Sequence, residues 1–288
     1  MTGTAVPFGE QPYPGPADAR VVILPVPYAP TVSWGRGAEA GPTAILRASQ
    51  FIDELDEETG CDWMAVGIRT APAVVPVAPG EAAVEAIRAA WAEQLASGAF
   101  VIGLGGEHAV TAGAVFAVRE AHPEAGVLQI DAHPDLRPSY EGSPWSHACV
   151  MRRVAEAGVP IVAVGIRAVS HADRAAIEEG LSRVFRADEI HGDPDWVDRV
   201  LEALPPEVFV TLDVDGLDPS VMPATGTPEP GGLGYRDVLA LLRRVFRERT
   251  VVGADVVELA PIPGLHHADF TAARLVQKMI AYRFPAGE

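Results

Sequence analysis

The sequence predicts an α/β protein: a parallel sheet covered by helices on both faces. Three observations carry this expectation. Short runs rich in Val and Ile alternate with longer amphipathic stretches along the whole chain. Each run is only a few residues long and is flanked by Gly, Pro or charge, as buried strands are. No internal repeat, low-complexity tract or composition break interrupts the 288 residues, so a single domain over 1–288 is expected.

In chain order, an irregular N-terminal segment (1–19) precedes a strand at Val21–Val26 and a Gly/Pro-rich segment at Pro27–Pro42. Glu81–Ala96 places apolar residues at helical spacing with Glu and Arg between them, and Ala99–Leu104 follows as a strand. Thr111–Ala121 repeats the helical pattern before the strand Val127–Ile130 and the irregular stretch Pro134–Ser146. The strand Ile161–Val164 leads to helices at Asp173–Glu179 and Trp196–Leu204, then to the strand Val208–Leu212. A third irregular stretch, Gly216–Gly234, precedes the helix Tyr235–Phe246, the strand Val251–Val257 and the helix Phe270–Tyr282. Irregular segments this long inside a compact domain are usually functional or disordered.

Twenty-two basic against 39 acidic residues give a net charge of −17. That argues against a nucleic-acid or anionic-membrane partner and suits a small cationic substrate. No apolar run approaches the roughly 20 residues that span a bilayer. Met1–Pro16 lacks the pattern of a secretory signal, and two cysteines, Cys61 and Cys149, suit a reducing cytoplasm. Lys278 is the only lysine, which we read as coding bias. Gly103-Leu104-Gly105-Gly106 matches half of a dinucleotide fingerprint but lacks the third glycine.

Chemistry concentrates where strands end. Asp131, His133 and Asp135 are spaced by two, so in extended chain they project to one side just past an apolar run. Asp213 and Asp215 repeat the arrangement after Val208–Leu212, and His108 follows the glycines after Ala99–Leu104. Each alone is also readable as an ordinary capping acid or packing histidine. Together they form an oxygen-rich set of four Asp and two His, which suits Mn²⁺ over Zn²⁺. Six ligands are too many for one catalytic ion with an open position, whereas two ions roughly 3.5–4 Å apart could share them around a water.

These segments resemble the ureohydrolase family of arginases and agmatinases. The matching motifs run in order: Gly105-Gly106-Glu107-His108, Asp131-Ala132-His133-Pro134-Asp135, Asp213-Val214-Asp215-Gly216-Leu217-Asp218-Pro219, Pro223-Ala224-Thr225-Gly226-Thr227-Pro228 and Asp255-Val256-Val257-Glu258-Leu259-Ala260-Pro261. Gly37–Pro42 with Ile45-Leu46-Arg47 is similar to the family's N-terminal region. The resemblance implies a three-layer αβα fold, two Mn²⁺ per subunit and hydrolysis of a guanidino group to urea and an amine. It assigns one ion to His108, Asp131, Asp135 and Asp213, and the other to Asp131, His133, Asp213 and Asp215, with Asp131 and Asp213 bridging. It makes Glu258 the carboxylate for the substrate guanidinium, with Thr227 assisting, and His147 the proton shuttle to the leaving amine. It also implies a homo-oligomer, trimeric or hexameric.

Arg137 stands where arginases carry an asparagine, and Asp135-Leu136-Arg137 with Tyr140, Gly142 and Ser146–Arg153 is similar to the agmatinase branch. The expected substrate is therefore agmatine or aminopropylagmatine, with Glu141 meeting the amine. Another ureohydrolase substrate, such as arginine, guanidinobutyrate or formiminoglutamate, is the alternative. An Arg137 directed into the pocket would favour a carboxylate tail.

Overall fold

A computed structural model of the protein describes residues 6–9 and 19–287, so most of the segment expected to be irregular at 1–19 lies outside the described residues. All six expected strands form. They are β1 (Val21–Val26), β3 (Phe100–Gly105), β4 (Gly126–Ile130), β5 (Ile161–Ile166), β7 (Glu207–Asp213) and β8 (Thr250–Val257). Two more, β2 (Ile68–Thr70) and β6 (Arg183–Arg186), complete one sheet of order β2-β1-β3-β8-β7-β4-β5-β6, in which every pairing is parallel. The two unexpected strands are its edges. One has three residues and the other begins and ends in exposed arginines, so neither presents an apolar run, as edge strands commonly do not.

The helices are α1 (Gly41–Ser49), α2 (Glu81–Leu95), α3 (Val110–Ala121), α4 (Val150–Glu156), α5 (His171–Glu178), α6 (Ala187–Ile190), α7 (Trp196–Ala203), α8 (Tyr235–Glu248) and α9 (His266–Arg283). Pro42 sits in the first turn of α1, where its missing N–H costs nothing, so the segment read as irregular to Pro42 already ends in helix. Ser170 caps α5 in a reciprocal box with Asp173, starting that helix two residues earlier than expected.

Side chains on either side of β1 separate the layers. Val21 and Ile23 pack with residues of α1, α7, α8 and α9, whereas Val22, Leu24 and Val26 pack with α2, α3 and α4. The result is the expected three-layer α/β arrangement, with β3, β8, β7 and β4 adjacent in the middle of the sheet. In such sheets ligands bind beyond the carboxyl ends of the strands. Two glycines let those ends approach: a Cβ at Gly106 would strike the Tyr28 carbonyl, and one at Gly216 would lie 2.8 Å from the Asp131 nitrogen.

A buried ionic clasp ties α9 to the turn at 56–60. The Lys278 ammonium, fully buried, lies 2.6 Å from Asp56 Oδ2 and 2.9 Å from Glu57 Oε1. The Gln277 amide donates to Asp56 and the Tyr282 hydroxyl to Glu58. Burial alone would push the Asp56 carboxyl up, but Lys278 and the Thr59 and Gln277 donors hold it at about 2.

Candidate active site

Four neighbouring strand ends build the site. Beyond β3, the buried His108 ring has Nε2 at 2.9 Å from Thr211 Oγ1 on β7. Thr111 lies 3.4 Å from Thr211 and donates to Asp255 Oδ2 at 2.7 Å. Assigning the ring proton to Nε2, where Thr211 accepts it, leaves a lone pair on Nδ1. Nδ1 has no hydrogen-bond partner, yet Asp135 Oδ2 lies 3.0 Å away, Asp131 Oδ2 3.1 Å and Asp213 Oδ2 3.4 Å.

Asp131, directly after β4, turns one oxygen toward each histidine: Oδ2 toward His108, and Oδ1 at 3.6 Å from His133 Nδ1. Asp215 Oδ2 lies 3.0 Å from the same His133 nitrogen. Two groups of ligand atoms result, each within a 4.8 Å span: His108, Asp131 and Asp213, and Asp131, His133 and Asp215. Asp135 adjoins the first. Asp213, expected to bridge, falls within the first group, and its Oδ1 accepts the Asp215 N–H at 2.9 Å. Asp215 Oδ1 in turn accepts the Ala132 N–H at 3.0 Å, joining the ends of β4 and β7.

The electrostatics are those of a cage with surplus negative charge. Burial and the carboxylates of Asp215 and Asp131 push Asp213 well up, and burial with the Asp131 charge pushes Asp135 up to about 7. Burial disfavours charge on the histidines, but Asp215 and Asp131 overcome it and raise His133 to about 12. Four carboxylates, two imidazoles, no thiolate and a partnerless buried lone pair at His108 fit hard divalent cations.

Among the described residues, three non-glycine residues have positive φ: Asp135 (53°), Glu141 (48°) and Glu258 (66°). Two belong to this site, where a strained backbone places the side chain. Pro134 lies beyond β4, off the ladder, so its missing N–H leaves the sheet intact. Glu258 follows β8; its N–H donates to the Gly106 carbonyl and its Oε1 accepts the His108 N–H, both at 2.7 Å. Burial pushes its carboxyl up to about 8.

His147 is held from a distant loop. Its backbone N–H donates to Thr31 Oγ1, its Nδ1 lies 3.1 Å from the same hydroxyl and its Nε2 lies 2.9 Å from Ser33 Oγ. Thr31 donates its N–H and hydroxyl to the two oxygens of buried Glu107, at 2.6 and 2.8 Å. Burial and the neighbouring histidine charges push His147 down to about 4. Thr31, Ser33 and Glu107 escaped the sequence reading. Glu107 stood inside a quoted motif, and the two hydroxyls lie in Pro27–Pro42, whose length was the only signal.

A pocket of about 330 Å³ opens over these groups, lined by His133, Asp135, Asp213, Asp215, His147 and Glu258, and by Arg137, Tyr140, Thr227 and Glu229. The Thr227 hydroxyl donates to Asp215 Oδ2 at 3.4 Å and makes no hydrogen bond to Glu258. Glu141 is not part of the lining. It lies exposed on the Tyr140–Ser143 turn, so nothing in the pocket supports the expected contact of Glu141 with a substrate amine. Arg137 does line the pocket, with its guanidinium 4.9 Å from the Tyr140 ring and its Nε 3.9 Å from Asp173. A larger hollow of about 1680 Å³ beside α5 contains none of the clustered ligands, and its Arg174–Glu178 and Arg186–Asp188 pairs are internally matched.

The sequence profile of the Arginase family matches residues 19–281. Among curated proteins, the chain is 45% identical to N(1)-aminopropylagmatine ureohydrolase of Thermus thermophilus over 96% of this chain and 94% of that protein. It is 41% identical to N(1)-aminopropylagmatine ureohydrolase of Synechocystis over 92% of this chain and 90% of the other. Among solved structures, agmatine ureohydrolase of Thermoplasma volcanium superposes with a TM-score of 0.86 at 30% identity, covering 94% of this chain and 92% of that one. A match along almost the whole chain, with a sheet whose central strand ends gather His108, Asp131, His133, Asp213 and Asp215, places this protein in the arginase family.

Proposed function

We propose that this protein is a binuclear manganese amidinohydrolase that releases urea from a guanidinoalkylamine, agmatine or N(1)-aminopropylagmatine. The observation that carries the reading is Asp131, whose two oxygens face two separate histidine–carboxylate groups, from which His133, Asp213 and Asp215 line a pocket that also holds Glu258. The names of the relatives support the substrate class.

His108, Asp131, Asp135 and Asp213 would hold one ion, and Asp131, His133, Asp213 and Asp215 the other. When bound, such a pair supplies an acidified water and positive charge to offset the charge developing at the attacked carbon. Glu258 binds the guanidinium: the His108 N–H fixes one oxygen, and the fork-shaped anion matches a planar cation. Asp215, held by Ala132 and Thr227, bounds the same space. His147 passes a proton to the leaving amine, with Ser33 and Thr31 fixing its ring.

The buried, unpaired Cys61 and Cys149 support a cytoplasmic setting, and no helix among the described residues is long and apolar enough to cross a membrane. Assembly as a homo-oligomer, a trimer or hexamer, belongs to the same proposal. Arg137 on the pocket wall is the one observation favouring a carboxylate tail, as in guanidinobutyrate. A urea-release screen with manganese over agmatine, aminopropylagmatine, arginine and guanidinobutyrate tests the proposal: the two amines should give the highest kcat/KM, and no urea from any of them would refute it.

A further inference from the structure

We propose that Glu229 is the specificity-determining carboxylate of the pocket, the group that takes the ammonium at the far end of the substrate chain. This rests on the amidinohydrolase reading and adds to it the residue that sets the sign of the tail.

The charged groups lining the pocket divide into two sets. At the buried end Asp135, Asp213, Asp215 and Glu258 surround the place for the guanidinium. Asp173, Arg137 and Glu229 line the same pocket, Asp173 as buried as the first set and Arg137 and Glu229 half-buried. Asp173 is buried and occupied, accepting the Leu136 N–H at 3.1 Å, the Ser170 N–H at 3.0 Å and the Ser170 hydroxyl at 2.5 Å. Arg137 faces Asp173 on one side and the Tyr140 ring on another, so its charge is partly answered. The half-buried Glu229 carboxylate makes no hydrogen bond or ion pair among the described residues, and the nearby Arg167 spends its donors on backbone oxygens.

Those same donors fix where Glu229 stands. Arg167 Nη2 reaches the Glu229 carbonyl at 2.7 Å and the Asp215 carbonyl at 2.6 Å, while Nη1 reaches the Gly165 carbonyl at 3.0 Å. One half-buried guanidinium thus ties the Glu229 backbone to the loop that carries Asp215. Pro228 and Pro230 flank Glu229 and restrict its backbone further. The Glu229 backbone is therefore fixed on the wall of the pocket that also holds Glu258, so that a substrate with a cation at each end would meet Glu258 with one and Glu229 with the other. A tail ending in a carboxylate would meet Glu229 as a like charge.

The test compares urea release by the manganese-loaded enzyme from agmatine and from 1-butylguanidine, which has hydrogen in place of the ammonium, and from 4-guanidinobutyrate. An ion pair at a partly solvated edge changes preference by about two- to fivefold. Glu229→Gln should lower the ratio of kcat/KM for agmatine over butylguanidine by that factor, through KM. Glu229→Lys should move preference further, toward guanidinobutyrate. If both ratios stay at the wild-type value, whether the rates fall together or not at all, Glu229 does not read the tail and the inference fails alone. If wild-type enzyme releases no urea from any of the three, the amidinohydrolase reading fails and this inference with it.

Discussion

Replacing Thr211 with valine deletes one oxygen beneath His108 while keeping the β-branched shape that β7 accommodates. In the wild-type protein that oxygen lies 2.9 Å from Nε2, and both residues are buried, so water cannot take its place. Losing the hydrogen bond removes about 1 kcal/mol, and a stranded buried N–H adds about 1–3 kcal/mol. The ring can escape that penalty by moving its proton to Nδ1, which blocks the lone pair facing Asp131, Asp135 and Asp213. Either route taxes cation binding, and loss of such an orienting partner typically weakens metal affinity about 10–100-fold, or about 1.4–2.7 kcal/mol. Calorimetric titration of Mn²⁺ into metal-free wild type and Thr211→Val measures this directly, with circular dichroism to confirm an intact fold. The weakening should fall on the group containing His108 and spare the one containing His133. Two binding events of wild-type affinity in the variant would refute both the tautomer assignment and the role of His108 as a ligand.

Other consequences follow from the same geometry. Glu258→Gln keeps the acceptor for the His108 N–H but loses the charge, which should cost about 2–5 kcal/mol in kcat/KM; urea assays paired with metal analysis should find activity lost and metal retained. Asp131→Asn should deplete both ion sites and His133→Ala only one, as metal analysis per chain would report, and chelation should abolish urea release until Mn²⁺ is restored. Lys278→Met strands a buried Asp56 carboxylate at a cost of about 3–5 kcal/mol. With an unfolding entropy of about 2.1 cal/mol/K per residue, that lowers Tm by about 5–8 °C in a calorimetric scan. The clasp also sets an acid limit: Asp56 and Glu57 are held at about 2, below their ordinary 3.8 and 4.5. Their contribution is complete above the ordinary values and drains away as pH falls toward 2, so Tm should drop across that window more steeply in wild type than in Lys278→Met.

The central strands were legible because they are buried on both faces and so read as unbroken apolar runs: β3, β4, β7 and β8 each end where a ligand-bearing motif begins. Spacing by two then put Asp131, His133 and Asp135 on one side without reference to the rest of the chain. Edge strands β2 and β6 carried no such run, and α4 is too short for its periodicity to stand out. The contacts that hold His147 were invisible for a different reason. Thr31 and Ser33 meet it across more than a hundred residues of sequence, and which loops meet depends on the order of strands in the sheet. Glu141 is close to Asp135 in sequence but lies exposed on a turn outside the pocket lining. Glu229, lying among prolines far along the chain, takes its place on the pocket wall.

The solitary lysine has a use beyond holding α9 in place. Because Lys278 is the only side-chain amine in the chain and is fully enclosed by its acidic partners, amine-acylating reagents find no lysine to modify in the native protein. Acylation there requires the end of α9 to lift from the 56–60 turn, so its rate, followed by mass spectrometry of the peptide containing Lys278, counts opening events of one identified helix. The protein thus carries its own single-site reporter of local unfolding, with no label to engineer.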